Sequence, residues 1–271
     1  MVVVPPDVVY AIHNRDDVAA LARWLDASPD DGHPLSHPRT PDDMDDEVGH
    51  PYTLLMIAAE YGSYNCAKFL LERGAQINLG VSGHADMPLH VASGSNQLLY
   101  DDAGLKFIDL FLDAGADVHV RGARISDSSM NHHSDQTPVG KFLDLCSLRA
   151  SSNAPAFLGR FLRAGADVDA VAGIPGNRLS AEDVLARRSA VDESSRLLEL
   201  LEMLAGYRAA GCSWKAYKRG PHMAVLALRS LRARGRAVAT PGTSSYVERV
   251  TSPDFPSGVV WKILEYWCAA E

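Results

Sequence analysis

Cysteine, aromatic residues and long apolar runs are all scarce in this 271-residue chain. The four cysteines, Cys66, Cys146, Cys212 and Cys268, stand far apart, and none belongs to a Cys-x-x-Cys pair. No thiolate pair therefore sits at metal or dithiol spacing. Cys66 and Cys146 fall within apolar helical patterns and read as small buried residues, and a reducing compartment, cytoplasm or nucleus, is the expected setting. No apolar stretch approaches the length of a membrane span, and the start Met1-Val2-Val3-Val4-Pro5-Pro6 is too short and lacks the positive end of a secretory leader. Aromatics make up only 7% of the residues against 46% hydrophobic overall, a balance that suits small Ala-rich and Leu-rich helices. There is no Gly-x-x-x-x-Gly-Lys and no Gly-x-Gly-x-x-Gly, so no phosphate loop is expected, and Gly173-Ile174-Pro175-Gly176 reads as a turn. His132 and His133 with Asp135 lie on a polar, Ser-rich stretch. His33 and His37 are flanked by Pro34 and Pro38, which break the helix that would align them. No converging metal ligands and no Ser-His-Asp or Cys-His constellation are legible. The expectation is a protein without catalysis, cofactor or metal.

Acidic residues are missing from one long segment. Residues 203–247 contain eight Lys and Arg (Arg208, Lys215, Lys218, Arg219, Arg229, Arg232, Arg234, Arg236) and no Asp or Glu, so this segment carries +8 within a chain of net charge −8. The remainder is −16, most densely in Pro41-Asp42-Asp43-Met44-Asp45-Asp46-Glu47. A sign split of this kind marks a partner surface, a basic tail that docks on its own acidic residues, or a tail that is simply solvated.

What is abundant is a repeated phrase. Residues 70–78 read Leu-Leu-Glu-Arg-Gly-Ala-Gln-Ile-Asn, 111–119 Phe-Leu-Asp-Ala-Gly-Ala-Asp-Val-His, and 161–169 Phe-Leu-Arg-Ala-Gly-Ala-Asp-Val-Asp. An apolar pair closes the buried stripe of a helix. Gly74, Gly115 and Gly165 then occupy the left-handed position that ends a helix at least cost. Ile77, Val118 and Val168 start an extended finger towards the next unit. Self-similarity at this period means stacked helix pairs.

Upstream of each phrase stands a second signature: Thr53-Leu-Leu-Met56-Ile-Ala-Ala59, Met87-Pro88-Leu89-His90-Val91-Ala92 and Thr137-Pro138-Val139. These resemble the Thr-Pro-Leu-His-x-Ala start of an ankyrin repeat. The resemblance implies that His90 bonds backbone within and between repeats, a place taken by Met56 and Gly140 in the neighbouring copies. Leu54 to Gly74 spans a standard unit, whereas the two later copies carry extra residues between their helices, near 94–104 and 147–155. Degenerate copies at 7–27 and 179–206 flank the clear ones. The expected fold is all-α: an ankyrin-repeat solenoid of about five helix pairs over 1–206 (repeats near 7–50, 51–86, 87–135, 136–178 and 179–206). A small helical module follows over 207–271, with 207–220 a link, 221–236 a helix, 237–254 mostly loop and 256–269 a last helix. Residues 28–51, with their prolines and acidic run, read as a long finger or disordered loop.

The ending Phe255-Pro256-Ser-Gly-Val-Val260-Trp-Lys-Ile263-Leu264-Glu-Tyr-Trp267 resembles the first helix of an F-box, although the chain stops where further F-box helices would follow. Met223, Ala227 and Leu231 share only the spacing of a SOCS box. The F-box resemblance implies docking of a Skp-family adaptor of a cullin ubiquitin ligase through Phe255, Pro256, Val260, Ile263, Leu264 and Trp267; the SOCS-box one implies an elongin adaptor. The competing reading is a cap on the end of the stack, with those side chains buried.

The leading functional expectation is a monomeric, non-catalytic scaffold that binds another protein on the concave surface of finger tips and inner helices. By position in the repeat, the candidates are Leu79, Val81, His84 and Asp86, then Arg121, Arg124 and Ile125, then Val171, Ile174 and Arg178, with Tyr61 and Tyr64 at the end of their repeat's first helix. The alternatives are a ligase substrate receptor and, third, polyanion or nucleic-acid binding by the basic segment 208–236. That third reading is the weakest, because few aromatics interleave the basic residues and the remainder of the chain is acidic.

Overall fold

The computed structural model describes residues 5–27, 53–80, 86–100, 102–122, 135–148, 152–174, 177–189, 195–240 and 243–269. The chain divides into two compact units, Met1–Leu204 and Ala205–Glu271.

In the first unit α1 (Pro6–Arg15) and α2 (Val18–Ala27) form a helix pair, as do α3 (Leu54–Tyr61) and α4 (Tyr64–Glu72). Next come α5 (Pro88–Gly94), a short α6 (Asn96–Tyr100) and α7 (Asp102–Asp113), then α8 (Pro138–Leu148) and α9 (Ala154–Arg163). A hairpin of β1 (Ala172–Ile174) and β2 (Asn177–Leu179) leads to α10 (Ala181–Ser189), and α11 (Ser195–Ala209) follows. The helices pack in sequence order in two rows: α1, α3, α5, α8 and α10 side by side, and α2, α4, α7 and α9 behind them. The surplus at 94–104 is the extra helix α6, and the surplus at 147–155 is shared between a longer α8 and the turn before α9.

Local chemistry explains the helix ends. Thr53 Oγ1 accepts from the Met56 N–H at 3.2 Å and caps α3. Gly74, Gly115 and Gly165 have φ of +91°, +83° and +84°, the left-handed stops expected of the repeated phrase. Between pairs the same bond recurs one unit apart: Ser63 Oγ donates to the Ile12 carbonyl at 2.6 Å, and Ser95 Oγ to the Glu60 carbonyl at 2.7 Å. Asn78 links successive fingers, donating to the Gly115 carbonyl at 2.9 Å and accepting from the Asp117 N–H at 2.8 Å.

The centre of the core is more aromatic than the low overall content suggests. Phe107, Phe111, Phe142, Phe157 and Phe161 are fully buried. Phe107 meets Phe111 at 4.8 Å between centroids, and Phe142 meets both Phe157 and Phe161 at 5.7 Å. Such ring pairs contribute about 0.5–1.5 kcal/mol beyond their area.

The second unit contains the end of α11, then α12 (Trp214–Ala233), α13 (Ser245–Thr251) and α14 (Ser257–Ala269). The expected link at 207–220 is largely helix instead. Ser213 Oγ accepts from the Ala216 N–H and starts α12 seven residues earlier than the apolar pattern suggests. Pro221 lies inside that helix, where it removes one backbone bond without ending it. The stretch 237–254, expected to be mostly loop, also contains the short helix α13. Val250, Val260 and Leu264 form a small core, with Val225, Leu226, Phe255 and Ile263 packed against it. Arg229 stitches this module together, donating to the carbonyls of Val250 and Pro253 at 3.3 Å, to that of Phe255, and to Ser257 Oγ.

Candidate interaction surface

The middle of the front row, α3 and α5, is closed. In α3, Leu54 to Ala59 are each no more than 1% exposed, and in α5 Pro88 to Ser93 are all buried. The middle of the row therefore offers side chains mainly where the helices end. Glu60 and Tyr61 are half-buried at the end of α3, and Gly94 at the end of α5, while Asn96 and Gln97 are exposed at the start of α6. Together with Val91, Ser95 and Lys141 of α8 they line an open groove of mixed polar and apolar character, about 330 Å³ in volume.

Each wall has a physical cause. The His13 ring lies on Tyr61 at 3.7 Å between centroids and fixes the tyrosine at the groove's edge. Ser95 turns inward to bond the Glu60 carbonyl, which leaves Asn96 and Gln97 pointing outward. A Cβ on Gly94 would stand 2.7 Å from Lys141 Cε, so the glycine leaves room for Lys141 to lie across the end of α5. Lys141 Nζ is held at 2.9 Å by Asp86. The pair is about one-third exposed on both sides, and contributes on the order of 0–1 kcal/mol.

Behind the groove the fingers are tied by a polar cluster. The Met87 N–H donates to His90 Nδ1 at 3.3 Å, and His90 Nε2 meets the Gln136 carbonyl at 3.2 Å. A backbone donor at Nδ1 requires a lone pair there, so the ring is neutral and Nε2 donates. Burial holds the imidazole below its ordinary pKa. Nearby Asp86 opposes that shift, and Lys141 adds to it. One repeat later Gly140 replaces the histidine, and the two fingers close up directly: the Thr137 N–H donates to the Val171 carbonyl at 2.8 Å. Arg121 donates to the Asp135 carbonyl at 2.9 Å and to the Ala170 carbonyl, and Asp135 pairs with Arg121 at 3.3 Å and with Arg178 at 3.6 Å.

The positions read from sequence separate clearly. Tyr61 lies in the groove, and Asp86 reaches it through Lys141. Tyr64 is half-buried with its ring edge-on to Phe107 at 6.3 Å, a packing contact. Leu79 is half-buried. Arg121 and Arg178 hold the finger cluster, and Ile174 sits on β1 opposite Asn177. Val171 is completely buried and is no surface candidate: its carbonyl and N–H bond Thr137 and Leu179, and its side chain packs beneath them. Val81, His84, Arg124 and Ile125 lie outside the described residues.

The adaptor-docking set is largely the second unit's own core. Val260 is 1% and Leu264 4% exposed, with Phe255 and Ile263 packed against them. Surfaces for an adaptor would need these apolar side chains outward, so that assignment fails for Val260 and Leu264, which bury against Val250 rather than face solvent. Pro256 is exposed, and Trp267 falls on α14 outside the residues whose side chains are described. The groove residues missed by sequence reading include Glu60, Asn96, Gln97 and Lys141. They carry no motif and occupy different positions in their helices, so no sequence signal pointed to them.

Among the described residues no three His, Cys, Asp or Glu converge as a metal site would require, and no helix is long and apolar enough to cross a membrane. Burial pushes the thiols of Cys66 and Cys146 up, away from the reactive thiolate. No curated protein matches the chain. Residues 52–80, α3 with α4 and the turn that follows, match the family model of the ankyrin repeat.

Proposed function

We propose that the protein is a non-catalytic recognition scaffold whose helix pairs on either side of 52–80 are further units of the same repeat. On this reading it holds a partner protein in the groove at the ends of α3 and α5. The observation that carries the reading is the groove itself. Beside the buried faces of α3 and α5, a ring-stacked tyrosine, two exposed amides and a lysine converge. Tyrosine at such an edge combines large contact area with a polar tip and little entropy to lose. The recurrence of the Ser63 and Ser95 bonds, and the sequential packing of α1, α3, α5, α8 and α10, support a common repeat plan.

The test is capture of partners from lysate by the full chain, with quantitative mass spectrometry across variants. Tyr61→Ala together with Lys141→Glu should deplete the specific partner about 30-fold, as loss of a 2 kcal/mol hot spot does. Lys68→Glu, on the outward face of α4, should not. Equal capture by all three proteins would refute the groove.

A further inference from the structure

We infer that the first half of α12 carries a docking ledge for an extended acidic segment of a partner protein. This inference stands on the second unit alone and does not rest on the groove. Among the basic residues of the acid-free stretch, Arg229 and Arg232 hold the second unit together. Arg229 bonds the backbone and hydroxyl acceptors already named, and Arg232 donates to the Glu248 carbonyl at 2.7 Å and to Thr251 Oγ1 at 2.8 Å. Lys215 and Arg219 stand in the first turns of α12, before that internally bonded stretch.

At 3.6 residues per turn Lys215, Lys218, Arg219 and His222 fall on one stripe, which continues through Leu226 and Arg229. In its second half the stripe is covered: Leu226 packs on the Val250–Val260–Leu264 core. In its first half Lys215 and Arg219 are exposed. No ion pair among the described residues involves either. One helix face thus passes from an apolar seat to a cationic ledge. The N-terminal end of α12, with no acidic residue in its first turn, adds the positive end of the helix dipole to the same place.

Spacing selects the ligand. Lys215 and Arg219 are four residues apart, about 6 Å along the axis. Alternate side chains of an extended peptide repeat about every 6.6 Å, so acidic residues at i and i+2 face both cations. Nucleic acid fits less well. Lys218 Nζ covers the Trp214 ring at 5.0 Å, and Tyr217 lies against that ring at 5.4 Å, so the aromatics are engaged with their neighbours instead of offered as stacking platforms.

The probe is a fluorescein-labelled peptide of alternating Glu and Ser, titrated with the full chain by fluorescence anisotropy. We expect binding that weakens about tenfold between about 50 and about 500 mM NaCl, the loss of a few screened ion pairs. K215E with R219E should abolish it. Lys215→Glu places an acid in the first turn, where it favours the helix, so lost binding with an unchanged circular dichroism spectrum reports the ledge and not unfolding. R234E with R236E, equal in charge but outside the stripe, should leave affinity within about twofold. The proposal is overturned by no binding at low salt, by equal loss in both double variants, or by a DNA duplex of matched charge binding more tightly than the peptide.

Discussion

Asp16 offers the sharpest test of how the units are joined. It sits at the turn between α1 and α2 with φ +47°, and its carboxylate reaches a helix about fifty residues away. Oδ2 accepts from the Asn65 N–H at 2.9 Å and from Asn65 Nδ2 at 2.8 Å, and Oδ1 accepts from the Cys66 N–H at 2.8 Å. Those N–H groups belong to the first turn of α4, whose own N-cap, Ser63, makes no side-chain cap because its hydroxyl bonds Ile12. Asp16 is therefore the cap, supplied by the preceding helix pair. Two effects combine on replacement. Loss of a cap costs typically about 1 kcal/mol, and a left-handed alanine costs about 1–2 kcal/mol more. Asp16→Ala should lose about 2–3 kcal/mol by that sum. Asp16→Gly removes the cap but relieves the backbone, and should lose about 1 kcal/mol. Asp16→Asn keeps an acceptor and tolerates the left-handed region, so it should lose least. Urea unfolding of the full chain followed by circular dichroism measures the series. An alanine variant as stable as wild type, or a glycine variant less stable than the alanine one, would refute the reasoning.

Two further outcomes follow from the finger contacts. A Cβ at Gly140 would stand 2.2 Å from the Val171 carbonyl oxygen, so Gly140→Ala should destabilise by about 1–3 kcal/mol in urea. Gly220→Ala, with nothing within 4 Å, should be neutral or stabilising by up to about 1 kcal/mol. His90 predicts a pH dependence. Its pKa is lowered in the fold, so below about pH 6.5 the unfolded chain takes up a proton that the folded chain does not. Stability is fully present above that pH and is lost as pH falls towards the folded value. Urea midpoints against pH should show this slope in wild type and less of it in His90→Gln; parallel curves would contradict the neutral, bridging histidine.

The repeat was readable because its determinants are local. Gly74, Gly115 and Gly165 stop helices by their own backbone freedom, and the signature around His90 fixes a contact one finger away. What was not readable depends on partners distant in sequence. Val171 resembles an exposed finger residue until the Gly140 vacancy, thirty-one residues earlier, draws its carbonyl into the stack. Val260 and Leu264 fit an adaptor-docking pattern equally well as a core pattern, and only α13, begun by residues with weak periodicity, decides for the core. The start of α12 was missed because Gly220-Pro221 suggests a break, while the cap at Ser213 had already committed the helix. The groove was visible in part through Tyr61, whereas Glu60, Asn96, Gln97 and Lys141 converge only through packing of α3, α5, α6 and α8.

The most direct measurement is hydrogen–deuterium exchange on the full chain, free and saturated with the partner that the Tyr61 and Lys141 variants fail to capture. Recognition in the groove predicts new protection at residues 60–61, 94–97 and around 141, with little change over α7 and α9. Protection confined to the outward helices, or to the second unit, would contradict the account.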